Sequence, residues 1–235
     1  MKKFKLLVLM LVVALGVTAC SPGKDKDKVE NGGTEIDKGA DKEDDILKED
    51  PKEEDNPATE NNEECNEFLK CYYDNRTRKV TYESVTQVGD DKLEVKYYID
   101  GDNYRVEDSN IISVYNSKDK AIYSWDPKTM SGTIKSNEQI PPHISDFQSI
   151  SGLKVAELRD YEGEEQLYVE SIGQLEGKDI LAKSWISKKY YINLNGEATQ
   201  DGKVISSIKS SNISEDFDSQ DTFKKPEGVK FKEAR

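Results

Sequence analysis

The chain has 235 residues, 34% of them charged, and a formal net charge of -13 at pH 7. A chain this acidic, with no basic stripe, is repelled by phosphate backbones, so we expect no nucleic-acid partner. The part beyond residue 64 is long enough for one domain with a sizeable core.

The first residues have the pattern of an export signal. Lysines near the start precede an apolar run from Leu6 to Leu15, and small residues then lead to Cys20. This apolar stretch is shorter than the roughly 20 residues that a membrane-spanning helix needs. Residues 1–19 are therefore interpreted as a removable signal peptide.

The segment Val17-Thr18-Ala19-Cys20 resembles the lipobox of bacterial lipoproteins, in which the cysteine receives a diacylglycerol and becomes the new N-terminus. The resemblance implies that Cys20 is the lipid attachment site and that the chain is anchored to the extracytoplasmic face of a cell membrane. The alternative is an ordinary secretory signal that happens to end beside a cysteine.

Residues 20–64 are interpreted as the lipidated cysteine followed by a tether. Acidic side chains outnumber basic ones there by more than two to one, and no aromatic residue is present. High charge with little apolar surface predicts disorder. The tether would hold residues 65–235, the predicted folded domain, clear of the membrane, or it is an inert spacer.

Two further cysteines, Cys65 and Cys71, lie at the start of the predicted domain. Export to an oxidising compartment favours a disulfide between them. The apolar spacing of Glu63–Tyr73 predicts a helix instead, and residues six apart on one helix are too far apart to bridge. Either the helix ends before Cys71 or the thiols stay free, and we favour a disulfide across the helix end.

Strand patterns dominate the rest of the chain. Alternating apolar residues and intervening polar turns predict six strands in an antiparallel meander: Val80–Thr86, Leu93–Ile99, Asn103–Glu107, Ile111–Tyr115, Ala121–Trp125 and Gly132–Ser136.

The middle of the chain breaks this pattern with Pro141-Pro142. Irregular apolar spacing from Ile144 to Glu157 predicts a short helix or lid. Further strands are predicted beyond it, with hairpin turns at Leu175–Lys178 and at Asn195-Gly196: Gln166–Ile172, Asp179–Ser187, Lys189–Leu194 and Gly202–Ser210.

Four stretches carry a resemblance to a known family. They look like the LolA-like superfamily of outer-membrane lipoprotein-sorting proteins: the run Tyr98–Glu107, the segment Val114–Ser117, the segment Ile122–Pro127 with its Tyr-Ser-Trp-Asp-Pro corner, and the Phe223–Val229 tail. That superfamily includes periplasmic lipoprotein carriers, their anchored relatives and an anti-sigma-factor regulator domain. The resemblance covers about residues 66–232.

The resemblance implies an α+β, mainly β fold. A curved antiparallel sheet, or half-barrel, would wrap with covering helices around an apolar cavity suited to a lipid. Arg105, Tyr123, Trp125 and Trp185 are the candidate ligand-binding residues. Aromatic residues on predicted strands are also explained by core packing alone, and of two adjacent aromatics one must face each side of the sheet.

The sequence shows no catalytic constellation. His143 is the only histidine and follows two prolines, which indicates a structural turn. No phosphate loop or nucleophile elbow is present, so we expect neither an enzyme nor a cofactor nor a metal.

The favoured function is a membrane-anchored lipoprotein that binds a lipid or the acyl chain of a lipoprotein. The alternative is an envelope signalling lipoprotein that binds a protein partner, similar to the anti-sigma regulator branch.

Overall fold

The computed structural model describes residues 60–137 and 147–234 of the chain. The predicted signal peptide 1–19, the lipid attachment site Cys20, the tether up to residue 59 and His143 lie outside the described residues.

The first element is helix α1, Glu60–Asn75. Phe68, Leu69 and Tyr72 recur at helical spacing and give the helix one apolar stripe. The helix begins three residues before the predicted start, so residues 60–64 are helical, although the sequence predicted a disordered tether there. At the other end, the Asn75 side-chain amide donates to the backbone carbonyl of Cys71 at 2.7 Å and caps it.

The predicted disulfide between Cys65 and Cys71 is wrong. Helix α1 continues for four residues past Cys71, and both thiols are free. Cys65 packs against the core below the helix, whereas Cys71 is exposed and donates its thiol proton to the carbonyl of Phe68 at 2.9 Å. The continuous helix holds the two side chains too far apart to bond.

The next six strands form the predicted antiparallel meander, in which each strand pairs with the one before it. The predicted strand ends agree with the observed ones to within two residues. The strands are β1 Lys79–Val88, β2 Asp91–Asp100, β3 Asn103–Glu107, β4 Ile112–Asn116, β5 Ala121–Asp126 and β6 Ser131–Ser136.

A second meander follows and ends with a short return to the first one. Its strands are β7 Leu153–Tyr161, β8 Glu164–Leu175, β9 Lys178–Ile186, β10 Asn193–Gln200 and β11 Lys203–Ser214, followed by helix α2 Ser219–Phe223 and strand β12 Lys230–Glu233.

All twelve strands belong to one sheet, in the order β12-β6-β5-β4-β3-β2-β1-β11-β10-β9-β8-β7. The two meanders meet at the antiparallel pair β1–β11, which we call the seam. Strand β12 adds to β6 in the parallel direction. The sheet is curved and unclosed, so the fold is mainly β, a half-barrel with two helices among the described residues.

The sheet has two faces because side chains alternate along each strand. On the helix face, Leu69 of α1 packs against Leu153, Leu167, Val169 and Ile186 of strands β7 to β9. On the opposite tail face, the segment 217–231, which contains α2 and leads into β12, covers strands β4 to β6.

Three predictions in the second meander are wrong. Residues 153–157, predicted as a helix or lid, begin β7, and residues 189–190, predicted to begin a strand, lie in a turn. Asn195-Gly196 lies inside β10, not in a hairpin turn. Gly196 is required for packing: a Cβ there would lie 3.0 Å from Ser184 Oγ and 3.1 Å from the carbonyl of Lys183.

Candidate functional site

Three of the four predicted ligand-binding residues lie together on the tail face. Tyr123 and Trp125 are 4% and 5% exposed, and they pack with Val114 and with Phe223 of α2. The chain's own C-terminal segment therefore fills the space next to these aromatic rings.

Arg105 lies beside this cluster and holds the C-terminal segment in place. Its Nε donates to Glu107 Oε1 at 2.5 Å, and its Nη1 donates to the carbonyl of Thr222 in α2 at 3.2 Å. The guanidinium carbon also lies 5.7 Å from the Trp125 ring centroid and 5.9 Å from that of Tyr98, within range of a cation–π contact. These contacts explain why an arginine suits this position, and a role of Arg105 in ligand binding stays a prediction.

The fourth residue, Trp185, lies apart from the others, at the opposite end of the tail face. Its ring centroid is 5.2 Å from Tyr161 and 4.8 Å from Tyr168. Burial, with a hydrogen bond to Glu170, raises the pKa of Tyr168 to about 12. The structure does not bring Trp185 together with Arg105.

The helix face of strands β1 to β5 carries a second aromatic population, none of which is among the four predicted ligand-binding residues. Two cross-strand tyrosine pairs stack there: Tyr82 with Tyr97, whose centroids are 4.8 Å apart, and Tyr104 with Tyr115, at 5.9 Å. Aliphatic residues complete the patch, which we call the tyrosine surface; by strand register they are Leu93, Val95, Ile99, Val106 and Ile122.

The tyrosine surface is an environment of low polarity. Burial raises the pKa of the Tyr97 phenol, and burial together with neighbouring Tyr115 raises that of Tyr104. The pKa of Tyr82 is raised most strongly, first by burial and then by Tyr97. Such shifts mean that a phenolate would be poorly solvated here. A site from which water is excluded in this way is what an acyl chain requires.

Helix α1 packs elsewhere on the same face. Its apolar side chains contact β7, β8 and β9, together with Phe147 and Tyr191. In the cluster around Tyr104 and Tyr115, in contrast, the described members are residues of the sheet. The helix face thus divides into a helix-covered half and a tyrosine-lined half, which meet at the seam.

A polar groove of about 840 Å³ lies at one end of the sheet, where the turn after β9 meets the β7–β8 hairpin and β11. Carboxylates and ammonium groups line it in pairs. Lys188 Nζ donates to Glu165 Oε2 at 3.0 Å, and Lys189 forms an ion pair with Glu215 at 2.6 Å. This polarity makes the groove unsuitable for a hydrocarbon chain and suitable for a polar group.

Within residues 60–137 and 147–234, no three His, Cys, Asp or Glu side chains lie close enough to hold a metal ion. Over the same part of the chain, no helix combines the length and the apolar character needed to cross a membrane.

No protein-family model matches the sequence, and no curated protein is similar to it. Among solved structures, an uncharacterized conserved protein from Thermus thermophilus is similar at a TM-score of 0.49 and 13% identity, over 72% of this chain and 98% of that one.

A DUF1329 family protein from Desulfovibrio piger is similar at a TM-score of 0.30 and 8% identity, over 65% of this chain and 92% of that one. PNGF-II is similar at a TM-score of 0.36 and 8% identity, over 67% of this chain and 31% of its own length. These TM-scores are below 0.5, so no conclusion about function follows from the likenesses.

Proposed function

We propose that this protein is a lipid-anchored, extracytoplasmic binding module that holds an acyl chain, of a lipid or of a lipoprotein, on the tyrosine surface, and that it performs no chemistry on it. The observation that carries the proposal is the tyrosine surface itself. Two stacked tyrosine pairs and neighbouring aliphatic side chains form one low-polarity patch on the helix face of a curved, unclosed sheet.

The curvature of the sheet supports this site. A curved sheet surrounds a bound chain with apolar side chains on several sides, which removes most of the ligand's surface from water. Tyrosine is suited to such a lining because its ring contacts hydrocarbon while its hydroxyl can reach water or a polar group. The resemblance of the sequence to LolA-like proteins and the lipobox at Cys20 agree with this function.

Native mass spectrometry of the mature chain without its lipidated cysteine, Ser21 to Arg235, purified from bacteria without detergent, tests the proposal. We expect a bound species of lipid mass that leaves when Tyr97 and Tyr104 are both replaced by asparagine. A folded protein that carries no lipid, and does not enhance the fluorescence of an apolar dye, would contradict the proposal.

A protein partner is the second candidate, and one observation favours it. Strand β7 lies at the end of the sheet, and an edge strand can pair with an extended segment of another protein. Charged residues along β7, among them Lys154, Glu157, Arg159 and Asp160, reduce this tendency. Crosslinking in intact cells that captures an envelope protein through β7, without lipid uptake, would favour this candidate.

A further inference from the structure

Two directly opposed serine pairs lie on the helix face, and their hydroxyl groups are satisfied differently. Ser113 of β4 lies opposite Ser124 of β5, and their Oγ atoms are 2.9 Å apart in a hydrogen bond. Ser84 of β1 lies opposite Ser210 of β11 across the seam. Both of these Oγ atoms are buried and have no hydrogen-bond partner in the part of the chain that the structure describes.

A third unpaired hydroxyl lies farther along the same strand, about 13 Å from Ser210. Ser206 lies four residues before Ser210 on β11, on the same face, and its Oγ is likewise buried without a partner among the described residues. The three serines are 4%, 9% and 2% exposed, in the order Ser84, Ser210 and Ser206. Buried hydroxyls in proteins are almost always hydrogen-bonded, so three unpaired ones on one face indicate an acceptor supplied by something else.

The position of these hydroxyls shows which part of a ligand would reach them. Ser84 follows Tyr82 by two residues on the same face of β1, so the serines border the tyrosine surface at the seam. An acyl chain lying on the tyrosines would therefore place its oxygen-bearing end at Ser84 and Ser210. Ser210 also borders the polar groove, which offers the rest of an amphiphile a way into water.

The charges around the seam favour an uncharged acceptor. The helix-face neighbours of the serines, Thr86, Val95 and Ile208, carry no charge. In the groove, Lys188 and Lys189 are already paired with carboxylates. Lys209 lies on the opposite face of β11 from Ser210. A free carboxylate ion would therefore lack a counter-ion on the helix face of the seam and incur a large desolvation cost.

We propose that Ser84 and Ser210 form the binding position for the neutral carbonyl oxygen of an ester- or amide-linked acyl group, which accepts hydrogen bonds from their hydroxyls. This inference rests on the proposed function and specifies its ligand class. The protein would bind acyl groups that are attached to something, and not free fatty acids or plain hydrocarbons.

The test compares three probes of equal chain length on the mature chain: methyl laurate, laurate and dodecane, each measured by displacement of an apolar dye at pH 8. We expect methyl laurate to bind about fivefold to tenfold more tightly than dodecane, as one or two hydrogen bonds to a neutral carbonyl provide. Laurate should bind more weakly than its methyl ester.

The double variant Ser84→Ala/Ser210→Ala should lose the preference for methyl laurate over dodecane and keep its affinity for dodecane. The matched control is Ser113→Ala/Ser124→Ala, which removes the satisfied pair on the same face and should keep the preference. Removing unpaired buried hydroxyls should leave the thermal midpoint unchanged or higher, so failure to fold is not expected.

Two results distinguish a failure of the serine site from a failure of the acyl-binding function. Dodecane and methyl laurate binding alike, or the preference surviving in Ser84→Ala/Ser210→Ala, would overturn the serine site and leave the acyl-binding function standing. If no probe displaces the dye, both fail. Native mass spectra of the bound species then distinguish the sources of the ester or amide, since a glycerolipid and an acylated peptide differ in mass.

Discussion

The two faces of strands β2 to β5 are both rich in aromatic residues, and they are used differently. On the tail face, Trp125 and Tyr123 pack under Phe223, which the chain supplies from its own C-terminal segment. On the helix face of the same strands, Tyr104 and Tyr115 form a cluster whose described members are residues of the sheet. An aromatic residue on a strand therefore indicates a buried surface, and only the neighbouring segments show whether that surface is core or binding site.

The largest expected effect is the loss of stability when a large tail-face side chain is removed. Trp125→Ala should lower the free energy of unfolding by about 3–5 kcal/mol, because it leaves a cavity under the C-terminal segment. Urea unfolding followed by circular dichroism measures the loss. A cost below about 1 kcal/mol would mean that this segment does not pack tightly on the sheet.

A polar substitution on the helix face should weaken ligand binding more than it destabilises the fold. Tyr97→Asn replaces a half-buried stacked ring with an amide and should weaken acyl binding about tenfold, which corresponds to about 1.4 kcal/mol. Dye displacement by methyl laurate measures the change. The control is Tyr190→Asn in the polar groove, whose hydroxyl donates to Glu215 at 2.9 Å; equal losses in both variants would argue against the tyrosine surface.

Arg105→Ala tests which role the predicted ligand residue has. It removes the hydrogen bond to the carbonyl of Thr222 and the contacts with Trp125, so we expect a loss of about 1–2 kcal/mol. Amide hydrogen exchange should rise first in the segment 217–231. If methyl laurate affinity fell and exchange in that segment stayed unchanged, Arg105 would be a ligand residue, as the sequence predicted.

The smallest expected effect is on the pH dependence of stability at alkaline pH. Because folding raises the pKa of the Tyr82 phenol above its ordinary value of 10.0, the unfolded chain loses this proton first as pH rises. The stabilising contribution is complete below about pH 10 and is lost progressively above it. Tyr82→Phe should therefore unfold in urea with a weaker pH dependence between about pH 9 and 11. An unchanged dependence would show that the Tyr82 phenol does not titrate as a buried group.

The first meander could be predicted from the sequence because its strands alternate regularly and its turns are marked by polar residues and glycine. The turn at Gly101-Asp102, for example, separates β2 from β3 between the predicted strands Leu93–Ile99 and Asn103–Glu107. The second meander was harder because packing overrides the local signal. Asn195-Gly196 has the composition of a turn, yet Gly196 is held in β10 by the close approach of Ser184.

The candidate site was only partly predictable. Alternation requires Tyr97 and Tyr98 to face opposite sides, and they do. The sequence does not contain the information that the C-terminal segment covers the Tyr98 side, since that depends on contacts between residues more than a hundred positions apart, such as Arg105 with Thr222. Nothing in the sequence distinguishes the unpaired serines at the seam from Ser113 and Ser124, which form the same kind of cross-strand pair.

The seam has a consequence for how the chain folds. Both meanders consist of strands that pair with their neighbours in sequence, so each can form from local contacts. The pair β1–β11 joins residues from opposite ends of the domain, and closing that loop costs about 4 kcal/mol of chain entropy by the logarithmic estimate. We therefore expect the seam to form late and to limit the folding rate, so a substitution such as Val85→Gly within it should slow refolding more than an equally destabilising one in β4.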